Sequence, residues 1–304
     1  MGERMTFDAR KGNNAPASGK QNALFAAITL AVVCGAFFTV LGLPHGDRAP
    51  KRAPVPKVER LAALEAPSLP RLPGEQAEAY YLALGKADPE AQAELGARIA
   101  KAGRIENDAL AELIFDHAGN VLQAHAGELA MADTGYFDDL LDLARDRLRM
   151  ASHKRSKWCE ASRYAELQAI EFSDPAQVKR ELAEFQAPVR DFSFEALAIL
   201  MAAAEDGRDN PVVRGDLTRT DEAALQGMFM SLMTDPDVMP LMMSMQSGAD
   251  SKQALKGVNV CNLAATAVSA VKTLPQDTKG RLMAEAMRNM EKNGPAAFTT
   301  VAGF

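Results

Sequence analysis

Cysteine is scarce in this chain, with three residues among 304. None stands in a CxxC pair or beside a histidine, which argues against zinc coordination and dithiol redox chemistry. Excess positive charge is missing too: 34 Lys and Arg stand against 40 Asp and Glu, a formal charge of −6. That argues against nucleic acid as the main partner, because phosphates demand clustered basic residues. Alternating runs of β-branched residues do not occur, and "NPVVRGD" and "FTTVAGF" are too short to build a sheet. No repeat of fixed period marks a solenoid. GxGxxG, the Walker loop, HExxH and GxSxG are all absent. Enzymes with a linear signature are thereby removed, whereas an acid–base site among the carboxylates stays open because such sites leave no linear mark.

Charge is missing altogether between Lys20 and Asp47. Spanning a bilayer takes about 20 predominantly apolar residues, and a cleavable signal carries only about 7–15. Residues 23–43 are therefore predicted to form an uncleaved transmembrane helix. No small-x-small cleavage site follows closely, and Val40-Leu41-Gly42 is a poor one. Residues 1–22 are polar, rich in Gly and Asn and without periodicity, which reads as a disordered tail. Residues 44–74 carry a proline every few positions, which reads as a stiff spacer. Flanking charge does not set the orientation. Arg4, Arg10, Lys11 and Lys20 precede the apolar run, and Arg48, Lys51, Arg52, Lys57 and Arg60 follow it.

Residues 75–304, about 230 in number, suffice for one sizeable core or two small ones. Helix signals punctuate them almost throughout. "DPEAQAELGARIAKAG" has Asp88 as N-cap, Pro89 in the first turn and Gly103 past the end. "NDALAELIFDHAGNVLQAHAGELAMAD" has Asn107 as cap and apolar residues at Leu110, Leu113, Ile114 and Val121. "YFDDLLDLARDRLRM" repeats that spacing with Phe137, Leu140, Leu141 and Leu148. Further helices are predicted to open at Asp174-Pro175, Ser193 and Thr220, and two more to cover "DSKQALKGVNVCNLAATAVSAVKTL" and "PQDTKGRLMAEAMRNMEKNG". The expected fold is all-α, an irregular bundle of about eight to ten helices behind one N-terminal transmembrane helix.

The two cysteines of the soluble region bear on orientation. Cys159 and Cys261 are an even pair without metal-site spacing, so a structural disulfide is expected between them. The alternative is two unpaired core thiols. A disulfide puts the domain in an oxidising compartment, with the N-terminus inside and the domain outside. For an Ala-rich, bacterial-looking chain that compartment is the periplasm, and the anchor lies in the inner membrane.

Seven of the fifteen methionines crowd into "GMFMSLMTDPDVMPLMMSM". Thioethers are soft ligands for Cu(I), and M-x-M spacing occurs at Met228/Met230 and Met243/Met245. No His or Cys stands beside them, and methionine more often fills cores and adaptable grooves. Met228, Met230, Met233, Met242 and Met245, with Trp158, are the expected partner contacts. His117 and His125 read as solvent-facing residues two turns apart, too far to share a metal ion. The basic run "RDRLRMASHKRSK" reads as a solvated helix end that suits the macrodipole. "SAVK", Ser269 to Lys272, has serine–lysine spacing but no SDN, and KTL stands in place of KTG, so it is set aside as chance. No catalytic residue, metal site or cofactor is assigned. The functional expectation is a periplasmic tethering or assembly factor that binds another envelope protein. Cu(I) binding through the Met-rich segment, or an envelope hydrolase with an unrecognised acidic site, are the alternatives.

Overall fold

The computed structural model describes residues 70–156, 159–160, 175–236, 238–239 and 258–293. The expected tail and transmembrane helix, most of the spacer, Trp158, Met242, Met243 and Met245 lie outside the described residues. Among the described residues there are nine α-helices and no strand, in keeping with an all-α bundle. They are α1 (Glu75–Ala87), α2 (Pro89–Ala102), α3 (Asn107–Ala124), α4 (Ala126–Met131), α5 (Thr134–His153), α6 (Pro175–Asp209), α7 (Arg219–Met233), α8 (Val260–Lys272) and α9 (Gln276–Asn293). None of these is long and apolar enough to cross a membrane.

Local chemistry sets most boundaries. The Asp88 side chain accepts the Ala91 amide at 2.9 Å and starts α2. Gly103 ends it in a left-handed conformation, φ 68°, that a side chain would oppose. Asp133 caps α5 by accepting the Gly135 amide at 2.8 Å, and Asn259 caps α8 by accepting the Asn262 amide at 3.0 Å.

Several boundaries differ from the sequence expectation: the segment read as one helix from Asn107 breaks at His125 into α3 and α4, and α8 starts only at Val260. Asn107 is the first residue of α3 rather than its cap, and Glu106 precedes it without a side-chain capping bond. Ser193 opens no helix. It is buried inside α6, which runs unbroken for 35 residues, because Phe194, Leu197, Met201 and Ala204 keep one apolar stripe in the core. α7 starts at Arg219 behind Thr218, where Thr218 and Asp221 cap each other reciprocally, rather than at Thr220.

Two apolar cores result. The first gathers α1 to α4, the C-terminal part of α6 and the end of α9, with Tyr80, Leu84, Leu95, Ile114, Leu197 and Met290 fully enclosed. Phe194 stacks on Phe115 at 4.6 Å between ring centroids and lies 6.5 Å from Tyr80. α1 lies along α6, and α4 approaches α6 so closely that Gly207 meets the α4 backbone directly. The second core joins α5, α7, α8 and the start of α9 through Phe137, Leu141, Leu225, Met228, Val268 and Leu282. α9 serves both, with Leu282 in the second core and Met287 and Met290 in the first. Each such enclosed large side chain contributes about 1.5–3 kcal/mol of burial. The connection from α6 to α7 is pinned: Val212 donates its amide to Met131 at 2.7 Å, and Arg214 donates to the Ala132 carbonyl at 2.7 Å and the Thr134 hydroxyl at 3.0 Å.

Candidate functional site

Cys159 and Cys261 are bonded, with their Cα atoms 5.0 Å apart across a separation of 102 residues. Both are buried, and with Ala151 they form a small apolar cluster apart from the two cores. The bond fastens the chain just beyond α5 to the start of α8. Its surroundings reinforce the clamp: Glu160 and Asn259 form a single antiparallel bridge, and the Asn259 side chain donates to the Ser152 hydroxyl at 3.0 Å.

The methionines divide. Met228 is buried in the second core, Met233 is half-buried and Met230 is 58 % exposed. Met228 and Met230 lie on α7, where residues two apart point to nearly opposite sides, so this M-x-M pair does not converge on one ion. Beyond the helix, Met239 is also exposed. Of the described expected contacts, Met230 alone is mostly exposed.

The histidines are not solvent-facing. His117 is 2 % exposed on the inner side of α3, and His125 is largely covered at the break between α3 and α4. His125 closes α3 with its amide on the Val121 carbonyl at 3.0 Å, so the two-turn spacing is kept, but each ring faces a carboxylate of α2 or its cap. His125 Nε2 lies 2.9 Å from Asp88 Oδ2, and its Nδ1 lies 3.8 Å from Glu128. His117 Nε2 lies 4.0 Å from Glu94, while its buried Nδ1 has no hydrogen-bond partner among the described residues. Burial holds His117 below the usual histidine value; Glu94 and Asp88 oppose that shift and Arg98 adds to it. For Asp88, burial pushes upward, but bonds from the Ala91 amide and His125 prevail and hold the carboxyl low. Apolar spacing on α3 could not reveal the pairings with Asp88 and Glu94, since both cross from α3 to α2 or its cap.

A second polar centre lies between α7 and α9. Asp221, fully buried, accepts two bonds from Arg281, at 2.7 and 2.8 Å. It also accepts the Thr278 hydroxyl at 2.6 Å and the Thr218 amide and hydroxyl at 2.8 and 2.7 Å. Nearby, the buried Lys279 ammonium pairs with Asp138, which also accepts from Gln276 at 2.7 Å. These groups are mutually satisfied, which is structural chemistry. The T-x-x-D spacing of Thr218 and Asp221 was the one sequence signal for this centre.

Ser269 donates to the Ala265 carbonyl at 2.8 Å and Lys272 pairs with Asp142, so the serine and lysine each serve other partners. In the basic run, Arg145 pairs with Asp142 and Asp146, and Arg147 with Glu195 of α6. On α3, burial and then Glu112 raise the carboxyl of Asp116, which stands on an exposed face. Among the described residues, no group of three or more His, Cys, Asp or Glu is arranged to hold a metal ion. Comparison with protein-family models, curated proteins and solved structures finds no match to this chain.

Proposed function

We propose that this protein is a single-pass inner-membrane tether whose helical domain lies in the periplasm and binds another envelope protein. The observation that carries the reading is the Cys159–Cys261 bond. Structural disulfides persist in oxidising compartments and are rare in reducing ones. The uncharged run of residues 23–43 and the proline-rich spacer supply the anchor and the reach. Contact falls to the exposed side chains of Met230 and Met239, because methionine surfaces adapt to a partner's shape.

Two measurements test this reading separately. A reporter that works only outside the cytoplasm, fused after Phe304, is expected to be active; a silent reporter removes the periplasmic placement. A photo-crosslinking residue at Met230 or Met239 is expected to give one discrete adduct with an envelope protein, and none when placed at exposed Glu75. Adducts absent from all three positions, or equal at all three, defeat the tethering role.

A further inference from the structure

Two of the chain's four histidines meet three carboxylates around α2, and α2 is fastened differently at its two ends. Its N-terminal end is held by polar bonds. Asp88 accepts the Ala91 amide through one oxygen and faces His125 Nε2 at 2.9 Å through the other. The Gln92 side chain adds a bond of 2.8 Å to the Tyr81 carbonyl. Its C-terminal end is held by apolar burial of Leu95 and Ile99 in the core shared with α1 and α3. Besides these two, only Ala91 of α2 is buried. Moving that end exposes Leu95 and Ile99 but leaves the polar bonds of the N-terminal end in place.

We propose that α2 is an acid-released flap: on protonation of His117 its C-terminal half lifts from α3, while the Asp88–His125 pair holds its N-terminal end as the hinge. An uncharged ring fits the site of His117. A protonated one carries an N–H at Nδ1 that meets no acceptor among the described residues. Its Nε2 reaches Glu94 only at 4.0 Å, beyond hydrogen-bond range. Arg98 donates both its bonds, at 3.1 and 2.7 Å, to Glu94 Oε1, which fixes the carboxylate with Oε2 at that 4.0 Å distance from the ring, and the charge of Arg98 opposes a second cation. Lifting α2 lets water reach the ring.

His125 is placed differently: its Nε2 faces Asp88 at 2.9 Å, and Glu128 lies 3.8 Å from its Nδ1. The other elements on α3 bring no competing charge among the described contacts. Arg190 of α6 is taken by Asp108 at 2.7 Å, and α9 adds apolar residues such as Met287 and Met290 to this core. Because burial holds His117 below the ordinary value of 6.5, the closed form binds fewer protons than the open one. Closure is therefore complete above that pH and weakens as pH falls below it. Asp88, held low, keeps its charge through the same window. The flap depends on His117 and its neighbours, not on the compartment in which the domain lies.

Amide hydrogen exchange on the full chain in mild detergent tests the flap at pH 7.5 and 5.0, with rates corrected for intrinsic pH dependence. Opening at Leu95 to Ala102 is expected to rise several-fold at the lower pH, in the direction that the lowered His117 value sets. Amides of α6 from Leu197 to Ala204 should not change. His117→Gln should show no acid response in α2. The proposal is overturned if protection in α2 is independent of pH, if His117→Gln keeps the acid response, or if α6 opens in parallel. Should the variant not fold, the wild-type His117 ring decides by NMR. Titration below the ordinary value, in step with α2 exchange, supports the flap, and titration at or above it overturns the flap.

Discussion

At the scale of single residues, the tightest constraint is a missing side chain. A Cβ added at Gly207 would lie 1.9 Å from the Glu128 carbonyl oxygen and 2.8 Å from its carbon. Those are backbone atoms of α4, flanked by the buried Leu129 and Ala130, so neither helix can yield without disturbing the first core. Gly207→Ala is expected to destabilise by about 1–3 kcal/mol or more, as overpacking does. Gly85→Ala is the control, since its Cβ would meet only the flexible end of Gln92 and should lower a urea midpoint much less. Asp221 makes the opposite case, a side chain that cannot be spared. The Arg281 guanidinium holds its carboxyl far below the usual range against the pull of burial, and the bonds from Thr278 and Thr218 assist. A depressed carboxyl adds stability that is complete above its unfolded value of 3.8 and fades as pH falls through the folded one. Asp221→Asn should therefore cost about 2–4 kcal/mol at pH 7, discounted because Arg281 is partly exposed. The gap between wild type and variant should narrow at pH 3. Equal gaps in urea melts at the two pH values would contradict the ionic origin.

Among the elements, the end of α5 carries a correctable strain. Ser156 donates its amide to the Ala151 carbonyl at 3.1 Å and Arg155 donates to Ser152 at 3.0 Å. That is the Schellman pattern, which places Arg155 in the left-handed region, φ 49°, where glycine is the usual occupant. Arg155→Gly is expected to stabilise by up to about 1 kcal/mol, since relief of the Cβ clash exceeds the entropy lost with glycine. A lower Tm would contradict it. No glycine marked this helix end in the sequence, whereas Gly103 announced the end of α2. The helices were legible where an apolar stripe ran along the element, as in α5, and α2 was read together with its cap Asp88. They were misread where a local signal competed with the core. Ser193 looks like a cap, but Phe194, Leu197 and Met201 continue the α6 stripe beyond it, and burial overrides propensity. The histidine junction was illegible for a different reason. Asp88 and His125 are 37 residues apart, and a 2.9 Å contact over that distance has no periodic trace.

For the whole molecule, the division into two cores sharing α9 defines what the disulfide does. Cys159 and Cys261 pack with Ala151 and belong to neither core, so the bond adds little apolar burial. It acts as a crosslink over 102 residues, a span that includes α6 and α7. Tying the ends of so long a loop restricts the unfolded chain and stabilises by about 2–5 kcal/mol, with part of that lost to effects in the unfolded state. Cys159→Ser and Cys261→Ser should each lower stability by that amount in guanidinium unfolding. Each should also abolish the faster migration of the oxidised chain on non-reducing gels. The double variant should be no less stable than either single one, because the first substitution already breaks the only bond the second could break. Far-UV circular dichroism at 25 °C should retain the helical content, since both cores keep their residues. Costs that add in the double variant would mean that the two sulfurs act as separate buried side chains. The clamp between α5 and α8 would then rest on Asn259, Ser152 and the bridge at Glu160 rather than on the disulfide.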